Sequence, residues 1–323
     1  MPTTTGHAAE QARRSDPKAG IAAGFDLVAE VYGQSGDGFF DGLGRQLATA
    51  AALRPGDRVL DLGCGRGAVL FAAAAAIGPD GYAAGIDLSP AMIRATTADA
   101  VKRGLRNVAV RVGDAEDPGY PARSFEAVLA GLMMFITPDP DAVLTAVRRV
   151  LVPGGRFAMT TFGPAEPGWE AALAAALAFR HPAPPTAAAR QPGAGSVTGG
   201  GAVKGGNGRF DTLAGIAEAL DRTGFAEVRT VEVEQIATIA DPEHWWASAW
   251  ASGRRAALER IPEQRRDQAR EAAFRVVEGL RVDGVLTRRT LIRLTTAVNP
   301  PVAPSSAPPS APDGPGGGPI GGG

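Results

Sequence analysis

Short apolar runs of β-strand character alternate with helical segments through the first half of the chain. The apolar runs are RVLDLG at 58–63, YAAGIDL at 82–88, NVAVRVGD at 107–114, FEAVLAG at 125–131 and RFAMTTF at 156–162. The helical segments between them are residues 68–77, 90–103 and 139–151. Ser89 and Pro90 suit the cap and first position of the second of these helices. Because strands that alternate with helices at this spacing build parallel sheets covered on both faces, the pattern predicts an α/β fold.

Helical segments become more frequent after Gly163. Further helices are predicted at 167–180, 211–223, 242–255 and 262–280, and further strands at 226–239 and 286–298. We expect these two strands to complete the same sheet while the intervening helices cover its active edge. The predicted architecture is a doubly wound, mostly parallel, seven-stranded sheet with a helical lid. We expect one catalytic domain over residues 21–298, with a cofactor half at about 21–163 and a lid and substrate region at about 164–285.

Three stretches lack a hydrophobic pattern. Residues 1–20 and the Pro- and Gly-rich residues 299–323 have little to bury, so we expect both to be disordered. A Gly-rich stretch at 182–208 interrupts the folded part and is expected to form an exposed loop.

Composition and charge narrow the choice of partners. Hydrophobic residues make up 45% of the chain and charged residues 21%, as in soluble globular proteins. A formal net charge of −1 provides no broad positive field for nucleic acid or an anionic membrane. No apolar run is long enough to span a bilayer, and the N-terminus lacks the apolar core of a signal peptide. We therefore expect a cytoplasmic protein without nucleic-acid or membrane partners, and its single cysteine, Cys64, and three histidines favour no metal site.

The first predicted strand runs directly into a glycine-rich turn at Gly63–Gly67. Such turns let a ligand approach the backbone, but several classes of nucleotide site use them. Asp61 discriminates between these classes, because a carboxylate two positions before the first glycine would repel a dinucleotide pyrophosphate. The same carboxylate attracts the ammonium and sulfonium groups of S-adenosylmethionine. The sign of this charge favours the methyl donor over NAD.

Two more carboxylates end the neighbouring predicted strands. Asp87 follows the second strand, where an acidic side chain can accept hydrogen bonds from both ribose hydroxyls. Asp114, within Gly113-Asp114-Ala115, follows the third strand and could accept from the adenine amino group. Since ligands of open α/β sheets bind at the carboxyl ends of the strands, we expect these carboxylates to line one crevice.

At these motifs the sequence resembles the class I methyltransferase family. The matching elements are the D-x-G-x-G-x-G at Asp61–Gly67, the acidic strand end at Gly85–Ser89, the third-strand G-D-A, and RRVLVPGGRFAMTTF at 148–162. Together they cover about residues 25–162. The resemblance implies an S-adenosylmethionine cofactor and a Rossmann-like fold.

The resemblance also implies which residues bind the methyl donor. Its methionine part would lie against the glycines of the turn, its ribose at Asp87, and its adenine between Leu88 and Met92. Asp114 and Ala115 would read the adenine edge. The full expected set is Tyr32, Asp61, Gly63, Gly65, Gly67, Asp87, Leu88, Met92, Gly113, Asp114, Ala115 and Gly131.

Segments outside these motifs bear on the acceptor. Residues 25–32 look like the N-terminal helix that closes over the cofactor in small-molecule members, with Tyr32 facing the donor. The N-P-P-Y motif of nucleobase amino-methyltransferases is replaced by AGLMMF at 130–135, which removes the main support for DNA base methylation.

Candidate acceptor-side residues follow the fifth predicted strand. His181 and His244 lie where such folds bind acceptors, and each is either a general base or a solvated helix-end residue. An aromatic group forms either an acceptor pocket or ordinary core between lid and sheet. Its members are Phe162, Trp169, Trp245, Trp246 and Trp250.

We expect methyl transfer to an oxygen, nitrogen or carbon of a small, fairly apolar acceptor, with bacterial secondary metabolism as its setting. Holding the reactants in line would supply most of the catalysis, so an acidic acceptor needs no strong base. Two other classes stay open at this point, a NAD(P)-dependent oxidoreductase and a non-catalytic cofactor-binding regulatory protein. The acceptor and the oligomeric state are not specified by the sequence.

Overall fold

The computed structural model describes residues 16–33, 38–181 and 208–301. Within these residues the strands are β1 (Arg58–Leu62), β2 (Tyr82–Asp87), β3 (Val108–Val112), β4 (Phe125–Gly131), β5 (Leu151–Phe162), β6 (Ala226–Ile239) and β7 (Leu286–Val298). The α-helices are α1 (Pro17–Asp26), α2 (Phe39–Ala50), α3 (Ala68–Ile77), α4 (Pro90–Lys102), α5 (Pro140–Val150), α6 (Pro167–Leu177), α7 (Leu213–Arg222), α8 (Pro242–Trp250), α9 (Arg255–Leu258) and α10 (Arg266–Glu278). Short 3-10 turns occupy Met134–Ile136, Arg209–Asp211 and Glu263–Arg265.

The described strands form one seven-stranded sheet in the order β3-β2-β1-β4-β5-β7-β6. Strands β1 to β5 are mutually parallel, and β7 runs antiparallel between β5 and β6. The strand order reverses between β1 and β4, so the crossovers leave a crevice at the carboxyl ends of these two strands. The predicted doubly wound, mostly parallel α/β fold is confirmed.

The two faces of the sheet pack against different helices, because side chains alternate along each strand. Leu60 and Val128 face the cluster that contains α5 and α7 side chains. Val59 and Leu129 face the opposite cluster, formed with α2 and α3. All four side chains are fully buried, so the sheet has a core on both faces, as parallel sheets require.

A third core holds four of the helices that follow β5. It joins α6, α8, α9 and α10 through Trp169, Leu173, Trp245, Leu258 and Val277. The helices predicted to cover the active edge therefore share a hydrophobic core of their own beside the sheet.

The bounds of two predicted elements differ from those in the structure, in each case at a segment that contains glycine. Strand β5 begins at Leu151 instead of residue 156. The Pro153-Gly154-Gly155 segment belongs to the strand because its pairing with β4 shifts register there. The helix predicted at 242–255 ends at Trp250, and α9 begins after Ser252-Gly253. Here the Ser252 Oγ accepts the backbone N–H of Arg254 at 3.3 Å.

The N-terminal prediction is wrong for residues 16–20, which were expected to be disordered. Helix α1 begins at Pro17, and the Asp16 side chain caps it by accepting the Lys18 N–H. The expected helix over 25–32 is also wrong, because α1 ends at Asp26 and turns follow up to Gly33. Helix α2 has no counterpart in the prediction.

The predictions for the other pattern-poor stretches fall largely outside the described residues. These are residues 1–15, residues 182–207 of the Gly-rich stretch, and residues 302–323. Asn299, placed in the disordered tail, is instead buried, and its N–H donates to the Gly155 carbonyl at 2.8 Å. In the part of the chain that the structure covers, no helix is long and apolar enough to cross a membrane, and no three or more His, Cys, Asp or Glu residues are grouped to hold a metal.

Helices α2 and α3 approach so closely that Gly44 has no room for a side chain. A Cβ built on Gly44 would lie 2.2 Å from the carbonyl oxygen of Ala68. We therefore expect Gly44→Ala to lower the free energy of unfolding by about 2 kcal/mol or more, since backbone must move to admit the methyl group. Chemical denaturation with urea measures the change.

Gly42→Ala is the matched control in the same helix. Its Cβ would meet only Gln235 Oε1, at 3.8 Å, so it gains helix propensity without a clash. We expect a stability within about 1 kcal/mol of wild type or above it. Equal losses in the two variants would contradict the close approach of α2 to α3.

Candidate functional site

A cavity of about 380 Å³ opens at the carboxyl ends of β1 to β4, and we call it the strand-end cavity. The sequence-predicted residues that line it are Tyr32, Asp61, Gly63, Gly65, Asp87, Leu88, Met92, Gly113, Asp114, Ala115 and Gly131. Gly67 does not line it. A Cβ on Gly67 would lie 2.7 Å from the Phe71 ring, and its φ of +83° lets the chain enter α3, so Gly67 shapes the turn.

Asp61 is a buried carboxylate without a counter-charge. Only 1% of its surface is exposed, and within the described residues neither carboxylate oxygen has a hydrogen-bond partner. Burial, followed by the charge of Asp87, raises the pKa of Asp61 well above its usual range. The backbone N–H of Leu70 offsets part of this rise in pKa, although it forms no hydrogen bond with either carboxylate oxygen. A buried carboxylate in this state is costly, and a cationic ligand would remove the cost.

Asp87 has the opposite arrangement, because backbone groups hold both of its oxygens. The Ser89 N–H donates to Oδ1 at 2.8 Å and the Gly65 N–H donates to Oδ2 at 2.9 Å. Burial raises the pKa of Asp87, and these two hydrogen bonds offset part of the rise. Each oxygen keeps a lone pair that can accept a ligand hydroxyl.

Backbone conformation keeps the cavity open beside these carboxylates. Gly63 and Gly65 have φ of +62° and +49°, values that a side chain disfavours. A Cβ on Gly131 would lie 2.7 Å from Val69 Cγ2. Leu132 also has a positive φ, +52°, although it carries a side chain, and its N–H is held by the Thr160 carbonyl and hydroxyl. Sequence reasoning missed Leu132, because no propensity indicates a strained non-glycine residue.

The far end of the strand-end cavity holds Asp114, which ion-pairs with Lys18 from α1. Lys18 Nζ lies 2.7 Å from Asp114 Oδ2, and Lys18 also pairs with Glu116. The Glu116 N–H donates to Asp114 Oδ1 at 2.9 Å. Sequence reasoning missed Lys18, although Asp16-Pro17 ahead of it is a helix-start signal.

The segment 16–33 closes the cavity through polar contacts. Asp26 Oδ1 accepts the Ser89 hydroxyl at 2.5 Å and the Ala91 N–H at 3.0 Å. Arg66 donates to the Ala29 carbonyl at 2.6 Å and pairs with Asp99 on α4. These contacts hold the segment against the glycine-rich turn and the start of α4.

A second cavity of about 170 Å³ adjoins the first, and we call it the aromatic cavity. The residues common to both cavities, here called the shared wall, are Phe25, Tyr32, Gly33, Phe40, Leu132 and Ile136. Tyr32 packs against the Phe25 and Phe40 rings, with centroids 5.8 and 5.0 Å away. Burial and the charge of Asp87 raise the pKa of Tyr32, which keeps its hydroxyl protonated.

The aromatic group predicted from the sequence divides between two roles. Phe162, Trp169 and Trp245 line the aromatic cavity. Trp246 and Trp250 do not line either cavity and pack on each other within the helical core, with ring centroids 6.0 Å apart. The polar lining of the aromatic cavity includes Glu166, Glu170, Arg254, Arg288 and Arg289.

The structure does not bring the two candidate histidines to these cavities. His181 is exposed, and its backbone exchanges hydrogen bonds with Arg260. His244 sits in the first turn of α8, where its Nδ1 accepts the Ala240 N–H at 3.2 Å. Neither residue lines the strand-end or the aromatic cavity. Their assignment as general bases gains no geometric support.

The described residues fit S-adenosylmethionine. The uncompensated carboxylate of Asp61 suits a cationic group, and Asp87 suits vicinal hydroxyls. Leu88 and Met92 supply apolar lining for an adenine ring. The carboxylates of Asp61 and Asp87 would repel a pyrophosphate placed against the glycine-rich turn.

Comparison with known proteins identifies a matching family and similar proteins. A family model described as a methyltransferase domain matches residues 53–182. The chain is 37% identical over 249 residues to nocamycin O-methyltransferase of Saccharothrix syringae, covering 75% of this chain and 85% of that protein. It is 42% identical over 147 residues to aklanonic acid methyltransferase DauC of Streptomyces sp. strain C5, covering 46% and 67%.

Solved structures share the fold at lower identity. The YcgJ protein of Bacillus subtilis is 17% identical with a TM-score of 0.51, covering 81% of this chain and 99% of that one. The cyclase SpnF is 20% identical with a TM-score of 0.50, covering 81% and 82%. Because one neighbour is a cyclase, the fold alone does not define the reaction.

The cost of burying Asp61 predicts a stability effect in the ligand-free protein. The pKa of Asp61 is higher in the folded protein than in the unfolded chain. Asp61 therefore destabilises the folded state increasingly as the pH rises above the pKa that it has in the unfolded chain. We expect Asp61→Asn to raise the free energy of unfolding by about 1 kcal/mol or more at pH 8 and by much less near pH 4. Urea titrations at both pH values measure the difference.

Asp57→Asn is the matched control at the other end of β1. Asp57 is also buried, but it pairs with Arg156 at 2.5 Å and accepts the Arg54 N–H. We expect this variant to lose stability at pH 8, because it leaves the Arg156 guanidinium without its carboxylate partner. A loss of stability in Asp61→Asn as well would show that Asp61 has a compensating partner in the free protein.

Proposed function

Since the chain belongs to the class I S-adenosylmethionine-dependent methyltransferases, we propose that it methylates an oxygen of a mostly apolar small molecule bound in the aromatic cavity. The protein is an enzyme that uses S-adenosylmethionine to methylate a small molecule. It is therefore neither a NAD(P)-dependent oxidoreductase nor a non-catalytic regulator. The name of one relative, nocamycin O-methyltransferase, supports an oxygen acceptor.

The observation that carries the proposed site is the buried, uncompensated carboxylate of Asp61. In the proposed arrangement Asp61 attracts the ammonium of the methyl donor, and Asp87 accepts from its ribose hydroxyls. Leu88 and Met92 flank the adenine, and Gly113 and Ala115 line its edge. Asp114 would accept from the adenine amino group through a remaining lone pair, since Lys18 and the Glu116 N–H each engage one of its two oxygens.

The shared wall determines how the two ligands meet. S-adenosylmethionine supplies a methyl group bonded to a positively charged sulfur. Tyr32, Phe40 and Leu132 lie between the two cavities, where they can orient the acceptor oxygen and exclude water. Orientation in a dry pocket supplies several kcal/mol toward the barrier. An acceptor oxygen that is already ionised needs no base, which agrees with two cavity linings that contain no histidine among the described residues.

The helices that follow β5 provide the acceptor side of the site. Trp169 on α6 and Trp245 on α8 line the aromatic cavity from the helical core. We propose that residues of about 21–163 bind the methyl donor and that those of about 164–285 form the lid and substrate region.

Two ligands separate the proposed roles of Asp61 and Asp87. S-adenosylhomocysteine carries the ammonium and the ribose, whereas 5′-methylthioadenosine carries only the ribose. We expect Asp61→Asn to weaken S-adenosylhomocysteine binding by about 10-fold or more and to change 5′-methylthioadenosine binding less than about 2-fold. Asp87→Ala should weaken both. Isothermal titration calorimetry measures the affinity of wild type and of both variants for each ligand.

The pH dependence gives a further check in the same experiment. Asp61 must ionise to pair with an ammonium, so S-adenosylhomocysteine affinity should rise with pH through its raised pKa in wild type. Asp61→Asn should remove this dependence. Equal weakening of both ligands by Asp61→Asn would contradict the assigned contact.

The acceptor atom can be tested with methyl-labelled S-adenosylmethionine and a panel of two- and three-ring aromatic phenols, carboxylic acids and amines. We expect label in the organic extract only with the oxygen compounds, and NMR of the product to place the methyl group on oxygen. Asp61→Asn should reduce the rate at subsaturating S-adenosylmethionine. Methylation confined to nitrogen or carbon would overturn the oxygen assignment.

A further inference from the structure

Two arginines line the part of the aromatic cavity that lies outside the shared wall. Arg254 lies between α8 and α9, and Arg288 lies on β7. Aromatic side chains form much of the remaining lining, including Phe39, Phe162 and Trp245. A cavity that combines aromatic walls with guanidinium groups suits a ligand that is mostly apolar and carries a negative charge.

Arg254 differs from its paired neighbours. Its Nε is buried and has no hydrogen-bond partner, and its side chain makes no ion pair within residues 16–33, 38–181 and 208–301. The adjacent Arg255, in contrast, pairs with Glu259 at 2.8 Å. Burial and then the charge of Arg288 lower the pKa of Arg254 to about 10. Arg254 is therefore still charged at neutral pH, and a nearby anion would stabilise it.

The other charged groups of the lining do not compensate Arg254. Glu166 Oε2 accepts the backbone N–H of Arg289 at 2.8 Å, and the Arg289 side chain pairs with Glu234. Glu170 lines the same cavity and makes no ion pair with Arg254. Among the described residues that line the cavity, Arg254 therefore has no carboxylate partner.

We propose that Arg254 binds an ionised acidic group of the acceptor, such as a carboxylate or an enolate. The proposal rests on the proposed function, since the occupant of the aromatic cavity is taken to be the methyl acceptor. The planar guanidinium presents paired N–H donors that match such oxygens, and the aromatic walls hold the carbon skeleton. The charge of Arg254 would therefore make the cavity bind an acidic acceptor more tightly than a neutral analogue of the same shape.

Two probes of nearly equal shape test this selection, 2-naphthoate and the neutral 2-naphthamide. Binding is measured by calorimetry with the protein saturated by S-adenosylhomocysteine, so that the strand-end cavity is occupied. We expect wild type to bind 2-naphthoate at least about 10-fold more tightly than 2-naphthamide. Arg254→Met keeps most of the length of the side chain but not its charge, and should reduce the preference to about 2-fold or less.

Matched variants separate charge recognition from damage to the fold. Arg254→Lys should keep part of the preference, because it retains a cation without the planar fork. Arg255→Met, at a paired position outside both cavity linings, should keep the full wild-type preference. S-adenosylhomocysteine affinity should be unchanged in Arg254→Met, which shows that the donor site is intact.

The outcomes distinguish failure of this inference from failure of the proposed function. Equal binding of the two probes by wild type, or a preference retained in Arg254→Met, would overturn the anion site and leave the methyl-donor assignment standing. Absence of S-adenosylhomocysteine binding to wild type would instead refute the proposed donor site. The wild-type comparison of the two probes needs no variant, so it tests the inference even if Arg254→Met does not fold.

Discussion

The buried carboxylate of Asp61 is the constraint around which the site is organised. Strand β1 is pinned between β2 and β4, so Asp61 cannot move toward solvent, and its oxygens find no partner in the described residues. The nearby Gly65 N–H is directed to Asp87 instead. One carboxylate is thus satisfied by backbone and the other is left for a cation. A fold optimised for stability alone would place a neutral side chain at position 61.

Electrostatics also distinguishes the two cavities. The strand-end cavity has carboxylates at its base, whereas the aromatic cavity has arginines among its polar lining. The first suits a cationic methyl donor, and the second suits an acidic acceptor. Tyr32 stands between them as a neutral hydroxyl, because burial raises its pKa. The unpartnered groups on the two sides of the shared wall, Asp61 and Arg254, carry opposite charges and favour each ligand in its own cavity.

The sequence predicted the bounds of several strands and helices correctly where a clear hydrophobic pattern ended at a turn signal. The bounds of β4, β6, β7 and α3 agree with the apolar patterns, since tertiary packing reinforces the local preference there. Helix α1 was missed because its burial is slight, and it is held instead by long-range polar contacts such as Lys18 with Asp114. Leu132 and Arg254 gave no local signal either. Both residues line a cavity that is formed by segments far apart in the sequence, and the spacing of residues along the chain does not predict such contacts.

The shared wall has a thermodynamic consequence for the order in which ligands assemble. Phe25, Tyr32 and Phe40 contact whatever occupies either cavity, so a ligand that immobilises these rings reduces the entropy lost by the second ligand. Such coupling is reciprocal: the factor by which a bound donor tightens the acceptor equals the factor by which the acceptor tightens the donor. In the proposed arrangement, spent donor and methylated product would each tighten the binding of the other, so that release of one would weaken the binding of the one that remains.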